Sequence, residues 1–512
     1  MKILLINPEV PNTFWSLKNA LKFVSKKALL PPLGLLTVAA MLPKSFEKKL
    51  IDMNIAALHD RDIKWADYVF ISAMMIQKDS AKKIIERCNK LKVKVVAGGS
   101  LFTSFSELIP GSDYLVLNEA EITLPLFLED LAHNCAKPVY KTELKADMRK
   151  SPVPLWELVD MKKYGQMGLQ YSRGCPFNCD FCDVTNLFGR KVRTKTTTQI
   201  IDELEDIYIH GWRGEVFFVD DNFIGKRQKI KHELLPAIIG WMEKRNRPFA
   251  FNTQSSIDIV DDEELMMLMA RAGFDGVFIG LESPNDSSLA ECHKTQNIGR
   301  DVVAAIKKIQ QFGMQVHGGF IVGFDNDTPN VFDKLINMIQ ESGIVTAMVG
   351  LLNAPRGTKL YQRLKNENRL TTPPPTGDNM DCTINFIPKM NIHELFGGYK
   401  KLLNTIYSQK YHCKRIKTFL KNYNFDNKTK FSISYYDLMA FFKSIWRLGI
   451  IDKGKIHYWM LMLWSATNLR RLTLAVRLSI FGFHFRQVLK NIDVPRELTL
   501  TSIDESSKPD KS

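Results

Sequence analysis

At 512 residues the chain is too long for one ordinary hydrophobic core, so two or three domains are expected. Apolar residues at 45% and charged residues at 24% exclude a disordered or fibrous protein and suit a soluble or peripheral one. A net charge of +15 leaves nucleic acid, an anionic membrane surface and acidic substrates open, and eight cysteines, three within eight positions, suit metal ligation in a reducing compartment, not a disulfide framework.

The opening Met1-Lys-Ile-Leu-Leu-Ile-Asn7 reads as a buried strand without signal-peptide character, so a cytoplasmic location is expected. Through residue 140 short apolar runs (Ile3 to Ile6, Tyr68 to Ser72, Val93 to Ala97, Tyr114 to Leu117) alternate with helical patterns, which implies an α/β, doubly wound, Rossmann-like domain. Two runs end in small residues, at Ser72 and at Gly98-Gly99-Ser100, where an open sheet presents its ligand crevice. Residues 141–165 read as a linker containing Pro152 and Pro154.

Six further strand-like runs follow in residues 166–370: Leu169 to Ser172, Glu215 to Val219, Phe249 to Asn252, Val277 to Gly280, Phe320 to Val322 and Met348 to Leu352. Such units form a partial (β/α)6 barrel with its chemistry at the C-terminal strand ends. Residues 371–512 form a C-terminal helical region. It starts with the breaker run Thr-Thr-Pro-Pro-Pro-Thr-Gly, is helical from about Asn391 to Lys490, and is expected to fray over Asp493 to Ser512. The nearest approach to a spanning helix, Tyr458 to Leu463, falls far short of the roughly 20 apolar residues needed, so no transmembrane helix is expected.

The segment Arg173-Gly-Cys175-Pro-Phe-Asn-Cys179-Asp-Phe-Cys182 sets three thiols at C-x3-C-x2-C directly after a strand. Three thiolates can hold three irons of a cubane and leave the fourth iron open, whereas an electron-transfer cluster usually has four cysteines. Structural zinc is the bland alternative, but it lacks a fourth ligand at local spacing. Three buried apolar cysteines would not need this regular spacing.

This motif, with Phe181 before the last cysteine, resembles the signature of the radical S-adenosylmethionine (SAM) superfamily. The resemblance spans roughly residues 166–360. It implies a [4Fe–4S] cluster on Cys175, Cys179 and Cys182 that cleaves SAM to a 5′-deoxyadenosyl radical, using an electron from a low-potential donor such as flavodoxin or ferredoxin. It also implies that Asp220, Asp221 and Asn222 stand where the family contacts the methionine amino group, with a plain acidic turn as the alternative. Asn252, Gln254, Glu282 and Ser283 resemble the polar groups around ribose and methionine, with helix capping as the alternative for the last two. Gly318-Gly319-Phe320-Ile321-Val322-Gly323 resembles the glycine-rich strand against which adenine lies.

A doubly wound domain ahead of such a barrel resembles the cobalamin-binding subclass. Pro31-Pro-Leu-Gly34, Gly98-Gly99-Ser100 and Asn118-Glu119-Ala-Glu121 occupy its motif positions, so Ser72, Gly98, Gly99, Ser100 and Glu119 are the expected cobalamin contacts. No Asp-x-His-x-x-Gly motif supplies a lower-face histidine, and a docking lid without cobalamin is the alternative. Cys88 and Cys135 cannot provide the triad of a methylthiotransferase. The implied reaction is hydrogen abstraction from an unactivated carbon followed by methylation from methylcobalamin. A radical rearrangement, ring contraction or oxidative cyclisation, or a non-catalytic cluster-bearing sensor, stand as alternatives.

From Phe441 to Lys490, nine Lys or Arg accompany one acid and interleave with Trp446, Trp459, Trp464, Phe481, Phe483 and Phe485. This suits either a membrane-surface face or a helical cap with solvated cations. His457 and His484 read as structural, and nucleic acid is not an expected partner. The layout resembles a group that includes hopanoid methylases, which implies a small-molecule substrate of polycyclic or isoprenoid lipid type; peripheral contact with the inner membrane face is expected through the basic C-terminal helices.

Overall fold

In the computed structural model, which describes residues 1–371, 376–378, 380–425 and 434–490, two six-stranded all-parallel sheets carry the chain. The first has the order β2-β1-β3-β4-β5-β6, formed by Glu47–Asp52, Lys2–Asn7, Tyr68–Ser72, Lys94–Gly98, Tyr114–Val116 and Val139–Tyr140. Strand order reverses between β1 and β3, which opens a crevice beyond their C-terminal ends. The sequence reading lacked the edge strands β2 and β6. β2, Glu-Lys-Lys-Leu-Ile-Asp, is charged and half-exposed, as an edge protected from further pairing should be, and so shows no apolar run.

The second sheet runs β14-β13-β12-β11-β10-β7, an open barrel of Thr346–Leu351, Gln315–Val322, Phe274–Glu282, Phe249–Ser255, Gly214–Phe218 and Met167–Leu169. Ser172–Arg173 and Arg193–Thr194, β8 and β9, form a short antiparallel ribbon that flanks the cysteine loop. Phe218, Phe251 and Phe274 pack against one another with edge-on and tilted rings on the outer face, beneath the helices that carry Tyr208 and Trp241. By alternation, Phe217, Asn252, Gln254, Phe278 and Ile321 face the lumen.

Residues 141–165 are packed rather than free. Trp156 and Tyr164 are buried, and the Tyr164 hydroxyl donates to Asp52 at the end of β2 at 2.9 Å. Isolated aromatic anchors carry no periodicity, so they were invisible as structure.

The C-terminal helices complete the barrel. Its edge strand β14 is capped by Tyr399, which donates to Val349 O (2.8 Å), and by Tyr407, which donates to Ala347 O (2.7 Å). The helix Leu469–Leu489 is largely core: Phe485 stacks on Phe14 at 4.1 Å, His484 contacts the carbonyls of Thr13 and Phe14, and Arg477 pairs with Glu215 at 2.6 Å. Thr372 to Pro375 of the breaker run, and the tail expected to fray, lie outside the described residues. Among the described residues no helix is long and apolar enough to cross a membrane.

Candidate active site

The cysteine loop is held from below by two carboxylates. Asp220, fully buried after β10, accepts from Tyr171 N (3.1 Å), Ser172 N and Ser172 Oγ (2.5 Å), and burial still pushes its carboxyl up to about 7. Asp221 accepts from Gly174 N at 3.2 Å and is raised to about 6, again by burial. Gly174 has φ +95°, and a Cβ there would lie 2.8 Å from Gly189 O. Cys175 N donates to that same carbonyl at 3.3 Å. Asn222 turns to Ser256 Oγ at 3.2 Å. The two aspartate side chains thus brace the loop while Asn222 ties to the end of β11, which leaves backbone for any ligand contact.

Cys175, Cys179 and Cys182 are half-buried and outside any disulfide. Burial raises all three thiols, Cys182 to about 12, and the Lys294 ammonium opposes that rise at each. Thiolates in such a setting require a cation to form, and three free thiols on one loop are the donor set that an iron–sulfur cluster takes, so the residues fit it.

β12 ends in a register shift between Gly280 and Glu282, and Glu282 holds φ +62°, unusual for a side-chain-bearing residue. The shift turns its buried carboxylate onto Lys294 Nζ at 2.8 Å. Sequence reasoning missed Lys294, which no motif marks. Asn252 and Gln254 stand half-buried on the lumen face as expected. Ser283 Oγ accepts from Asn285 N at 3.2 Å, a local turn contact, and the following helix has Asn285 at its N-cap, so neither Glu282 nor Ser283 takes the capping role weighed for it. Gly319 also has a reason inside the chain: a Cβ there would sit 2.7 Å from the Phe278 ring, so the glycine makes room for that aromatic. Ile321 stays half-buried in the lumen. Gly323 turns at φ +103°, pinned by Asp327, which accepts from Gly323 N (2.9 Å) and Phe324 N (3.1 Å). Trp15, from the N-terminal domain, meets Phe278 edge-on at 5.3 Å.

At the N-terminal sheet's crevice, Ser72, Gly98 and Gly99 are adjacent and half-buried, Ser100 is exposed, and Gly98 lies close under Val116 O. Gly99 has φ +87°, and a Cβ would lie 2.6 Å from Ser72 Oγ and 3.0 Å from Ala73 N and O, so only a glycine fits where β4 turns into the helix that follows. These residues lie at the C-terminal ends of β3 and β4, beside the point where the strand order reverses, which is where an open α/β sheet takes a cofactor. Glu119 departs from its expected place. Its carboxylate takes Arg173 at 2.9 Å and Arg193 at 2.8 Å, while Glu121 takes Arg173 at 2.8 Å. All four side chains are nearly buried. The motif read as a cofactor contact is an ionic latch from the N-terminal domain onto the residue two before Cys175.

Family models match a B12 binding domain over residues 24–128, the radical SAM superfamily over 169–339 and a domain of unknown function (DUF4070) over 358–496. An uncharacterized methyltransferase of Synechocystis sp. is 38% identical over 90% of this chain and 86% of its own length. The chain belongs to the cobalamin-binding radical SAM methyltransferases. The hopanoid C-2 methylase of Rhodopseudomonas palustris is 34% identical over 75% of this chain and 73% of its own.

The fold of this radical SAM methyltransferase matches that of the cobalamin-dependent S-adenosylmethionine radical enzyme OxsB, solved with aqua-cobalamin and S-adenosylmethionine. The TM-score is 0.62 at 16% identity, over 96% of this chain and 84% of that one. It also matches TsrM from Kitasatospora setae, with a TM-score of 0.59 at 13% identity, over 95% and 99% of the two chains. A [4Fe–4S] cluster, SAM and cobalamin are accordingly the cofactors of this enzyme.

Proposed function

We propose that this enzyme methylates an unactivated carbon of a polycyclic or isoprenoid lipid, with a hopanoid-like triterpenoid as the leading candidate. The observation that carries the reading is the latch of Glu119 and Glu121 on Arg173, which supports one shared cleft between the cobalamin-type crevice and the cysteine loop. When bound, the three cofactors supply the radical that removes a substrate hydrogen and the methyl group that replaces it.

The chain's own residues do the rest. Cys175, Cys179 and Cys182 hold the cluster, and Lys294, steadied by Glu282, offers a cation to the SAM carboxylate. The backbone of 220–222, with Asn252, Gln254, Ser283, Ile321 and Gly323, frames the remainder of SAM. Ser72, Gly98, Gly99 and Ser100 line the cobalamin crevice. Phe217, Phe278, Ile321 and Met348, with Trp15, give the lumen an apolar wall suited to a hydrocarbon skeleton and to exclusion of water. The 34% identity to a hopanoid C-2 methylase supports the substrate class. A lipid substrate stations the enzyme at the cytoplasmic membrane face, with the electron coming from a flavodoxin- or ferredoxin-like donor.

The test is anaerobic reconstitution with iron, sulfide and hydroxocobalamin, followed by incubation with SAM, a low-potential reductant and a desmethyl hopanoid. A product heavier by one methylene, with 5′-deoxyadenosine and S-adenosylhomocysteine formed in equal amounts, is the expected result. Deoxyadenosine without methylated product across polycyclic lipids would overturn the substrate class.

A further inference from the structure

The basic, aromatic C-terminal stretch divides into two parts. In the helix Leu469–Leu489, Phe483 and Phe485 are core. The preceding hairpin, Tyr435–Ile451 turning into Lys455–Ser465, is the reverse of an ordinary surface helix. Its packed face carries the small or short residues Ala440, Ser444 and Gly449, with Leu448, while its solvent face carries Tyr435, Leu438, Phe442, Trp446 and Ile450 at helical spacing, each 49–75% exposed. The second helix repeats this with Ile456, Met460 and Leu463, each at least 64% exposed. The indole of Trp459 donates to Gly449 O at 2.9 Å and joins the two stripes into one patch. Monomeric soluble proteins rarely expose contiguous apolar patches beyond a few hundred Å² without a partner.

We propose that this hairpin is a monotopic membrane anchor that lies in the headgroup boundary of an anionic bilayer. The inference deepens the membrane station proposed above and names the element that makes it. Charge selects the partner. Between residues 434 and 465 the cations are Lys443, Arg447, Lys453 and Lys455, and the two acids are engaged: Asp437 caps the helix through Ser434, and Asp452 pairs with Arg486 at 2.9 Å. Such a rim attracts anionic headgroups. A second copy docked on the same face by two-fold symmetry would instead set these cations against one another. Trp446, Trp459, Tyr435 and Tyr436 are amphipathic rings of the kind that settle at that boundary. Neither helix is long enough to span, so the hairpin lies flat, roughly 5–10 Å deep.

The experiment is flotation of the full-length, cofactor-reconstituted enzyme with vesicles of phosphatidylglycerol in phosphatidylcholine. Wild type is expected to float with them. The combined variant Phe442→Ser, Trp446→Ser, Met460→Ser and Leu463→Ser is expected to lose at least tenfold in vesicle affinity while keeping its bound iron and cobalamin. Independently, Lys453→Glu with Lys455→Glu is expected to weaken binding to these vesicles severalfold. Wild type that stays unbound, or a serine variant that floats as wild type does, overturns the proposal. So does a wild-type dimer, by light scattering, that the serine variant turns into a monomer without any vesicle binding in either. Because deoxyadenosine formation is measured separately, a failed anchor and a failed methylase are distinguishable.

Discussion

Arg173 Nη1 lies 2.9 Å from Glu119 Oε2, across the boundary between the cobalamin-type domain and the barrel, and only two residues before Cys175. A side chain so near the cluster loop that is held by the other domain couples the placement of one cofactor to the other. Without Glu119, Arg173 keeps Glu121 but Arg193 loses its carboxylate and is left with carbonyl partners, a partial loss of charge compensation that costs less than the roughly 3–5 kcal/mol of a fully broken buried pair. Glu119→Ala is therefore expected to lower Tm by several degrees and to reduce iron per chain after reconstitution. An unchanged Tm would show that the latch contributes nothing.

Cys179→Ala should abolish the visible absorbance of the cluster and all deoxyadenosine formation while the circular dichroism spectrum stays that of a folded chain. Retained SAM cleavage would remove Cys179 from the ligand set.

For Lys294 the informative variants are methionine and arginine. Lys294→Met is expected to raise the SAM concentration needed for half-maximal deoxyadenosine formation at least tenfold with iron content little changed, and Lys294→Arg to recover part of it. Equal loss of iron and SAM response in both variants would reduce Lys294 to a structural partner of Glu282.

Gly99→Val adds a side chain where a Cβ already meets Ser72 Oγ at 2.6 Å, on a backbone at φ +87°. Cobalamin retained after gel filtration should fall severalfold, with the iron content preserved because the cysteine loop belongs to the other sheet. Full retention would move the cobalamin crevice elsewhere.

The fully buried His484 is neutral in the fold. It donates Nε2–H to the carbonyls of Thr13 (3.1 Å) and Phe14 (3.0 Å), and burial depresses it to about 4. Above pH ~6.5 both folded and unfolded chains hold it neutral. As pH falls from there toward 4, only the unfolded chain takes up the proton, so stability drops by on the order of 3 kcal/mol. Urea unfolding across this range should show a shallower pH dependence for His484→Gln than for wild type. Equal slopes would assign the acid sensitivity to other buried groups such as His412, which is also held well below its ordinary value by burial.

What the sequence determined by itself was local. The three cysteines owe their meaning to spacing along a few residues, and the barrel strands and most of the first sheet announce themselves as apolar runs between helical patterns. Tertiary structure decided whatever depends on a partner distant in the chain. Glu119 meets Arg173 from 54 residues away, Trp15 reaches Phe278, and the Phe278 ring lies against Gly319, a neighbour that the glycine pair alone does not announce. Helical spacing likewise reads the same for an apolar face turned inward and one turned to solvent. Leu438, Phe442 and Trp446 follow the rhythm of a core stripe, and only the packing of Ala440, Ser444 and Leu448 beneath them leaves the larger residues outside.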